Sequence, residues 1–159
     1  AKQSHMLIMG VDTSMDNLGN TADPNNIASP DNLKYSETLR TLFIGEDSGN
    51  HLNNFLWAYN VDTKQLIRLL SAPAGAESTG LHAVDNVNGW TYIMSNFQHA
   101  GDEWDRFYKV DSKTGVRTGL SENDQKVLTD AINKNYNNGF AASVGYITAD
   151  PIAPSVVKK

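Results

Sequence analysis

The sequence predicts an all-β chain with one short helical insertion, and three observations lead there. Gly, Asn, Asp and Pro recur every ten residues or so, between short runs rich in β-branched and aromatic residues. That is the pattern of many short strands joined by turns. Two hairpins can be read from apolar alternation on either side of a turn. Finally, Val-Asp-(Ser/Thr)-Lys closes an aromatic strand twice, at Val61 and at Val110, 49 residues apart. That spacing suits β-propeller blades of roughly 40 to 50 residues; coincidence between two ordinary hairpins explains it equally well.

In chain order, Met6–Val11 reads as the first strand. Asp12 to Asn32 is so dense in Asp, Asn, Gly and Pro that it reads as a solvated loop. Ser29-Pro30-Asp31-Asn32 within it reads as a Pro-Asp turn before a strand. Thr41–Gly45 follows. Phe55–Val61 alternates, Asp62-Thr63-Lys64-Gln65 turns the chain, and Leu66–Ser71 returns antiparallel. Leu81–Asn86 and Trp90–Asn96 flank Asn88-Gly89, a pair suited to positive φ. Phe107–Val110 is the next strand. Ser121 as cap, Asp124 at the capping-box position, and an apolar stripe of Val127, Leu128, Ala131 and Ile132 predict the helix. Asn133 to Gly139 reads as loop, Val144–Thr148 as the last strand, and the organisation as a folded segment over 1–150 with a tail over 151–159.

Composition excludes several classes. The 159 residues include 13 Lys+Arg against 18 Asp+Glu, a net charge of -5, and no cysteine. There is therefore no disulfide framework, thiolate zinc site or cysteine nucleophile in this sequence. An acidic balance without a basic stripe argues against nucleic acid and anionic membrane surfaces. The longest apolar runs, such as Met6-Leu7-Ile8-Met9, fall far short of the roughly 18 residues of a membrane span. Acidic clusters leave cations open as ligands.

No nucleotide-binding glycine loop, serine-hydrolase elbow or His-Glu-x-x-His pattern is present. Asp12 to Gly19 superficially suggests a calcium loop, but its oxygen ligands do not alternate and no Glu closes it. Phe43-Ile44-Gly45-Glu46-Asp47-Ser48 places two carboxylates at a strand end, where successive side chains point to opposite sides. Pro73-Ala74-Gly75-Ala76-Glu77-Ser78-Thr79-Gly80 sets a Glu among small residues, and Phe97-Gln98-His99-Ala100-Gly101 ends the next strand pair on a His. Asp, Glu and Asn suit calcium or magnesium, and His adds a borderline ligand or a phosphate contact. Taken singly, each of these residues is explained as well by a surface carboxylate or a satisfied histidine.

Their order resembles the PhoX family of bacterial alkaline phosphatases. The resemblance rests on Ser29-Pro30-Asp31-Asn32-Leu33, Leu42-Phe43-Ile44-Gly45-Glu46-Asp47-Ser48, Leu56-Trp57-Ala58-Tyr59, Gly75-Ala76-Glu77-Ser78-Thr79-Gly80 and Gln98-His99-Ala100-Gly101. It implies a six-bladed β-propeller whose central channel holds calcium and iron and hydrolyses phosphate monoesters. By resemblance Glu46, Glu77, Asp31 and Asp47 are expected at the metals, and Asn32 and His99 at the substrate. The metals would polarise the phosphoryl group and activate the attacking oxygen. Ala100 replaces the proline of the family's Gln-His-Pro-Gly signature, and the family's cysteine iron ligand has no counterpart in this sequence. The resemblance thus implies a C-terminal part of such a protein, two to three blades, bound to the rest of its polypeptide or self-associated. It also implies a periplasmic or extracellular place, with the export signal upstream of Ala1. A non-catalytic secreted propeller that binds a ligand or protein is the alternative, and a one-calcium lactonase or esterase a third reading.

Overall fold

A computed structural model describes residues 7–101, 107–135 and 141–149. The chain is mostly β. Strands β1 (Pro30–Ser36), β2 (Thr41–Glu46), β3 (Phe55–Asn60) and β4 (Leu66–Ser71) form an antiparallel meander in sequence order. Strands β5 (Glu77–Val87), β6 (Trp90–Gln98) and β9 (Ser143–Ala149) form a second antiparallel sheet, with β6 central. Between β6 and β9 the chain makes a small hairpin, β7 (Tyr108–Val110) with β8 (Arg117–Gly119), and helix α1 (Glu122–Asn135).

The two hairpins expected from alternation form as β3–β4 and β5–β6. Asn86, Asn88 and Gly89 all take positive φ at the second turn, as its composition requires. The helix starts where its cap predicts: Ser121 Oγ accepts from the Asp124 main-chain N–H at 3.3 Å, and Asp124 Oδ2 accepts from the Ser121 N–H at 3.2 Å. Its apolar stripe is not buried as a unit. Ile132 alone packs against the small cluster Ala72, Ala76 and Ala100, while Val127 stays 59% exposed.

Several expectations need correction. Residues 7–11 form no strand; Met6 lies outside the described residues. The chain there is held instead by the Asp23 N–H donating to Val11 O and by a single bridge between Asp12 and Ala22. The Pro-Asp turn is the start of β1, with Pro30 at the first position, where its missing N–H costs no ladder bond. The Asp12–Asn32 segment is no solvated loop. It lies across one face of the first sheet and contributes buried Asn20, Ala22, Ile27 and Ala28, with Ile27 joining Ile44, Phe55, Trp57 and Tyr59 in the main core. Strand β8 was not expected, because Arg117-Thr118-Gly119 is short, polar and exposed. The predicted loop 133–139 is helical through Asn135, and its remaining residues, like the tail 151–159, lie outside the described residues.

The internal repeat is real in geometry but displaced from its sequence frame. At the β3–β4 turn, Asn60 Oδ1 accepts from the N–H groups of Asp62 and Thr63 and from the Thr63 hydroxyl. At the β7–β8 turn, Asp111 Oδ1 accepts from the N–H groups of Lys113 and Thr114 and from the Thr114 hydroxyl. Main-chain bonds agree: Lys64 N–H to Asn60 O matches Gly115 N–H to Asp111 O, and Lys64 and Gly115 both take positive φ. Asn60 therefore corresponds to Asp111, two residues off the Val-Asp-(Ser/Thr)-Lys match. The turns share chemistry because Asn and Asp both cap a main-chain turn, whichever residue the motif places there.

The two sheets meet where β2 crosses β5. A Cβ on Gly45 would lie well under 3.0 Å from the Ser78 carbonyl oxygen, so the contact requires glycine. Ser36 in β1, buried, donates its hydroxyl to the Asp85 carboxylate of β5, spanning the same junction.

Candidate functional site

Alternation in β2 turns Ile44 and Glu46 to the face covered by the N-terminal segment. Glu46 ends there with no exposure at all, and four N–H donors meet its carboxylate. Oε1 accepts from the Ala28 N–H at 2.8 Å and the Trp57 indole Nε1–H at 2.7 Å. Oε2 accepts from the Phe55 N–H at 3.0 Å and lies 3.0 Å from His51 Nδ1. His51 is equally buried, and its Nε2 lies 3.3 Å from the Asp23 main-chain oxygen. Both ring nitrogens thus lie within hydrogen-bond reach of oxygen atoms. A carboxylate offers about four acceptor positions. Those of Glu46 are occupied by protein donors, and a cation there would have to displace them.

Asp47, one residue on, points the other way and is exposed, with its N–H donating to Ser29 O at 3.2 Å. It lines a narrow cleft of about 30 Å³ together with Ser48, His51, Asn54, Gly75 and Glu77. That volume suits an ion or a couple of waters. Glu77 reaches the cleft from the start of β5, paired in register with Gln98 of β6. Gln98 donates its amide N–H to Glu77 Oε2, and His99 Nε2 lies 3.2 Å from Glu77 Oε1. His99 Nδ1 in turn meets Gly75 O at 2.9 Å. The His99 backbone is left-handed, φ +41°, unusual for a non-glycine residue, and it turns the ring back onto Glu77.

The sequence-predicted residues therefore divide. Asp47 and Glu77, from the ends of different strands, share one cleft, and His99 is tied to it through Glu77. Glu46 does not line the cleft and lies 3.0 Å from His51, which does. Asp31 and Asn32 sit at the irregularity that opens β1, where the Asn32 amide donates to Asp31, and neither lines the cleft. Among the described residues, no three His, Asp or Glu side chains gather as metal ligands do.

Sequence reasoning missed His51 and Gln98. His51 follows Glu46 by five residues across the β2–β3 connection, a spacing with no period to betray it; Gln98 was visible only as the neighbour of His99. Asp23, beside His51, has its carboxyl held below the usual range chiefly by the Asn25 main-chain N–H, with the Asn26 and Asn25 amides adding to it. The donors around the cleft are oxygen-rich, as calcium requires.

No family model, curated protein or solved structure matches the chain. Among the described residues, no helix is long and apolar enough to cross a membrane.

Proposed function

We infer that this chain is a propeller segment of a metal-dependent phosphomonoesterase of the PhoX kind, supplying one side of a calcium and iron site to a secreted or periplasmic enzyme. The observation that supports it is the convergence of Asp47 and Glu77, 30 residues apart, on one narrow cleft, whose walls also include Leu18, Leu52 and Phe107. In this reading Asp47 and Glu77 face the cation, His99 and Gln98 orient Glu77, and Glu46 anchors the strand end behind them. Bound metal would neutralise phosphoryl charge and polarise the ester. With two carboxylates from the described residues, the remaining ligands come from water or from other parts of the polypeptide.

Supporting the propeller, β1 to β4 follow the four-stranded meander of a blade, and the β7–β8 turn repeats the β3–β4 turn. The β9 edge of the second sheet exposes Val144 and Tyr146, 76% and 64%, the kind of apolar surface that a neighbouring blade or a second copy would cover. Hydrolysis of p-nitrophenyl phosphate by the polypeptide that contains this segment, assayed with and without chelator, tests the reading. Calcium-dependent activity that falls at least about 100-fold in Glu77→Gln is expected; no chelator-sensitive hydrolysis sinks it.

A non-catalytic ligand-binding propeller is the second reading. The saturated carboxylate of Glu46 favours it, since the most buried acid among the described residues is spent on the fold. Elemental analysis separates the two, with iron plus calcium expected for the enzyme and calcium alone or no metal for the binder.

A further inference from the structure

On the far side of Leu18 and Leu52 from the acidic cleft, a second pocket of about 370 Å³ is lined by Asn25, Asn53, Ser71 and Arg68. Arg68 stands in β4 opposite Trp57. Its guanidinium sits over the Phe55 ring, Cζ 3.9 Å from the centroid, with the Trp57 ring at 5.3 Å. One N–H donates to Pro24 O. No carboxylate lies within 4.0 Å of it among the described residues, whereas Arg40 is paired with both Glu37 and Asp62. Of the five donors of a guanidinium, one is therefore used by the protein.

We propose that this pocket binds a small ligand bearing an oxyanion, phosphate or carboxylate, on a polar skeleton of about monosaccharide size. Stacking and the Pro24 bond hold the fork in one orientation before any ligand arrives, so little side-chain freedom is left to lose. A planar fork of unused donors matches two oxygens of a phosphate or carboxylate at once. Beside it, the Ser71 hydroxyl makes no hydrogen bond among the described residues, and the Asn53 amide is fixed by donating to Ala72 O at 2.9 Å. These groups suit the hydroxyls of a sugar or sugar-like skeleton. The volume lies in the range of small-molecule sites. With a net charge of -5 the protein offers no general attraction to anions, so affinity rests on the local fork. The inference does not depend on the phosphatase reading.

Titration of the 159-residue chain in metal-free buffer, followed by calorimetry and by amide resonances, tests it with inorganic phosphate, glucuronate and neutral glucose. Omitting metal removes the acidic cleft as a phosphate site. At least one anion is expected to bind, shifting resonances at Arg68 and Asn53, with glucose at least about tenfold weaker than glucuronate. Phosphate binding alone identifies a phosphorylated ligand, and preference for glucuronate an acidic sugar. Arg68→Lys, which keeps the charge but loses the fork, is expected to weaken binding about tenfold or more. Ser71→Asp leaves the stack intact and is expected to abolish binding by repulsion. The proposal is overturned if neither anion binds, if glucose binds as well as glucuronate, or if a folded Ser71→Asp chain binds unchanged.

Discussion

The indole Nε1–H of Trp57 donates to Glu46 Oε1 at 2.7 Å inside the first sheet, so the acid that closes β2 is held by the residue at the centre of β3. Together with the Ala28 and Phe55 N–H groups and His51, this bond ties three segments to one carboxylate: the N-terminal cover, the β2 end and the β3 start. Removing one partner from a buried, hydrogen-bonded charge leaves the others unsatisfied, which costs more than the bond itself gains.

Glu46→Ala is therefore expected to destabilise the chain by about 3–5 kcal/mol, enough to unfold many domains of this size. Trp57→Phe, which deletes one donor and keeps most of the ring, should cost about 1–3 kcal/mol. Urea denaturation followed by far-UV circular dichroism measures both. A loss below about 1 kcal/mol for Glu46→Ala would leave Glu46 free for a ligand role.

Gly45→Ala should separate the two sheets. The added methyl has no free volume because it would meet main-chain atoms of Ser78 and not the end of a flexible side chain. Overpacking of this kind costs about 1–3 kcal/mol, and here it falls on the junction that brings Asp47 near Glu77. A lowered melting temperature is the expected result; an unchanged one means that the sheets are not in contact at β2 and β5.

The β character, both hairpins and the helix cap were legible because each rests on local residues: alternation, Asn-Gly, Ser-x-x-Asp. What was not legible depends on distant packing. Asp12–Asn32 has the composition of a loop, yet its few apolar residues, Ala22, Ile27 and Ala28, find a sheet face to cover. Glu46 and Asp47 were indistinguishable as adjacent acids; alternation separates them, but which side is covered was set by that N-terminal segment. His51 entered the site through a turn with no periodic signal. Glu77 and His99 were readable as candidates, but their mutual contact depends on the β5–β6 register, which shifts twice on the way from the Asn88-Gly89 turn to Glu77, between Val84 and Val87 and between Thr79 and His82.

The paired turns make an internal control for acid sensitivity. The Asp111 carboxyl is held below its ordinary value, first by the Thr114 N–H, then by the Lys113 N–H and the Thr114 hydroxyl. A depressed carboxyl stabilises above its unfolded value, about 3.9, and that contribution is lost as pH falls through the folded value. Asn60 makes the same bonds at the equivalent turn without titrating. Asp111→Asn should therefore match the parent chain near neutral pH and lose less stability between about pH 5 and 2. Thermal unfolding across that range checks the sign; a variant that loses as much stability in acid as the parent would show that this turn does not matter to acid unfolding.

Calcium affinity distinguishes the acids. Since Asp47 and Glu77 share the cleft while Asp31 lies outside it, Asp47→Asn and Glu77→Gln should each weaken calcium binding about tenfold or more, and Asp31→Asn should not. His99 lies against Glu77, 3.2 Å from Oε1, and does not itself line the cleft. Substitutions of such orienting partners typically cost about 10–100-fold in metal affinity, so His99→Ala should weaken calcium binding without altering its stoichiometry. Calorimetry on the folded variants reads all four. Equal loss in Asp31→Asn and Glu77→Gln would point to general charge attraction in place of a site, and no loss in Glu77→Gln would remove this cleft from the metal-binding reading.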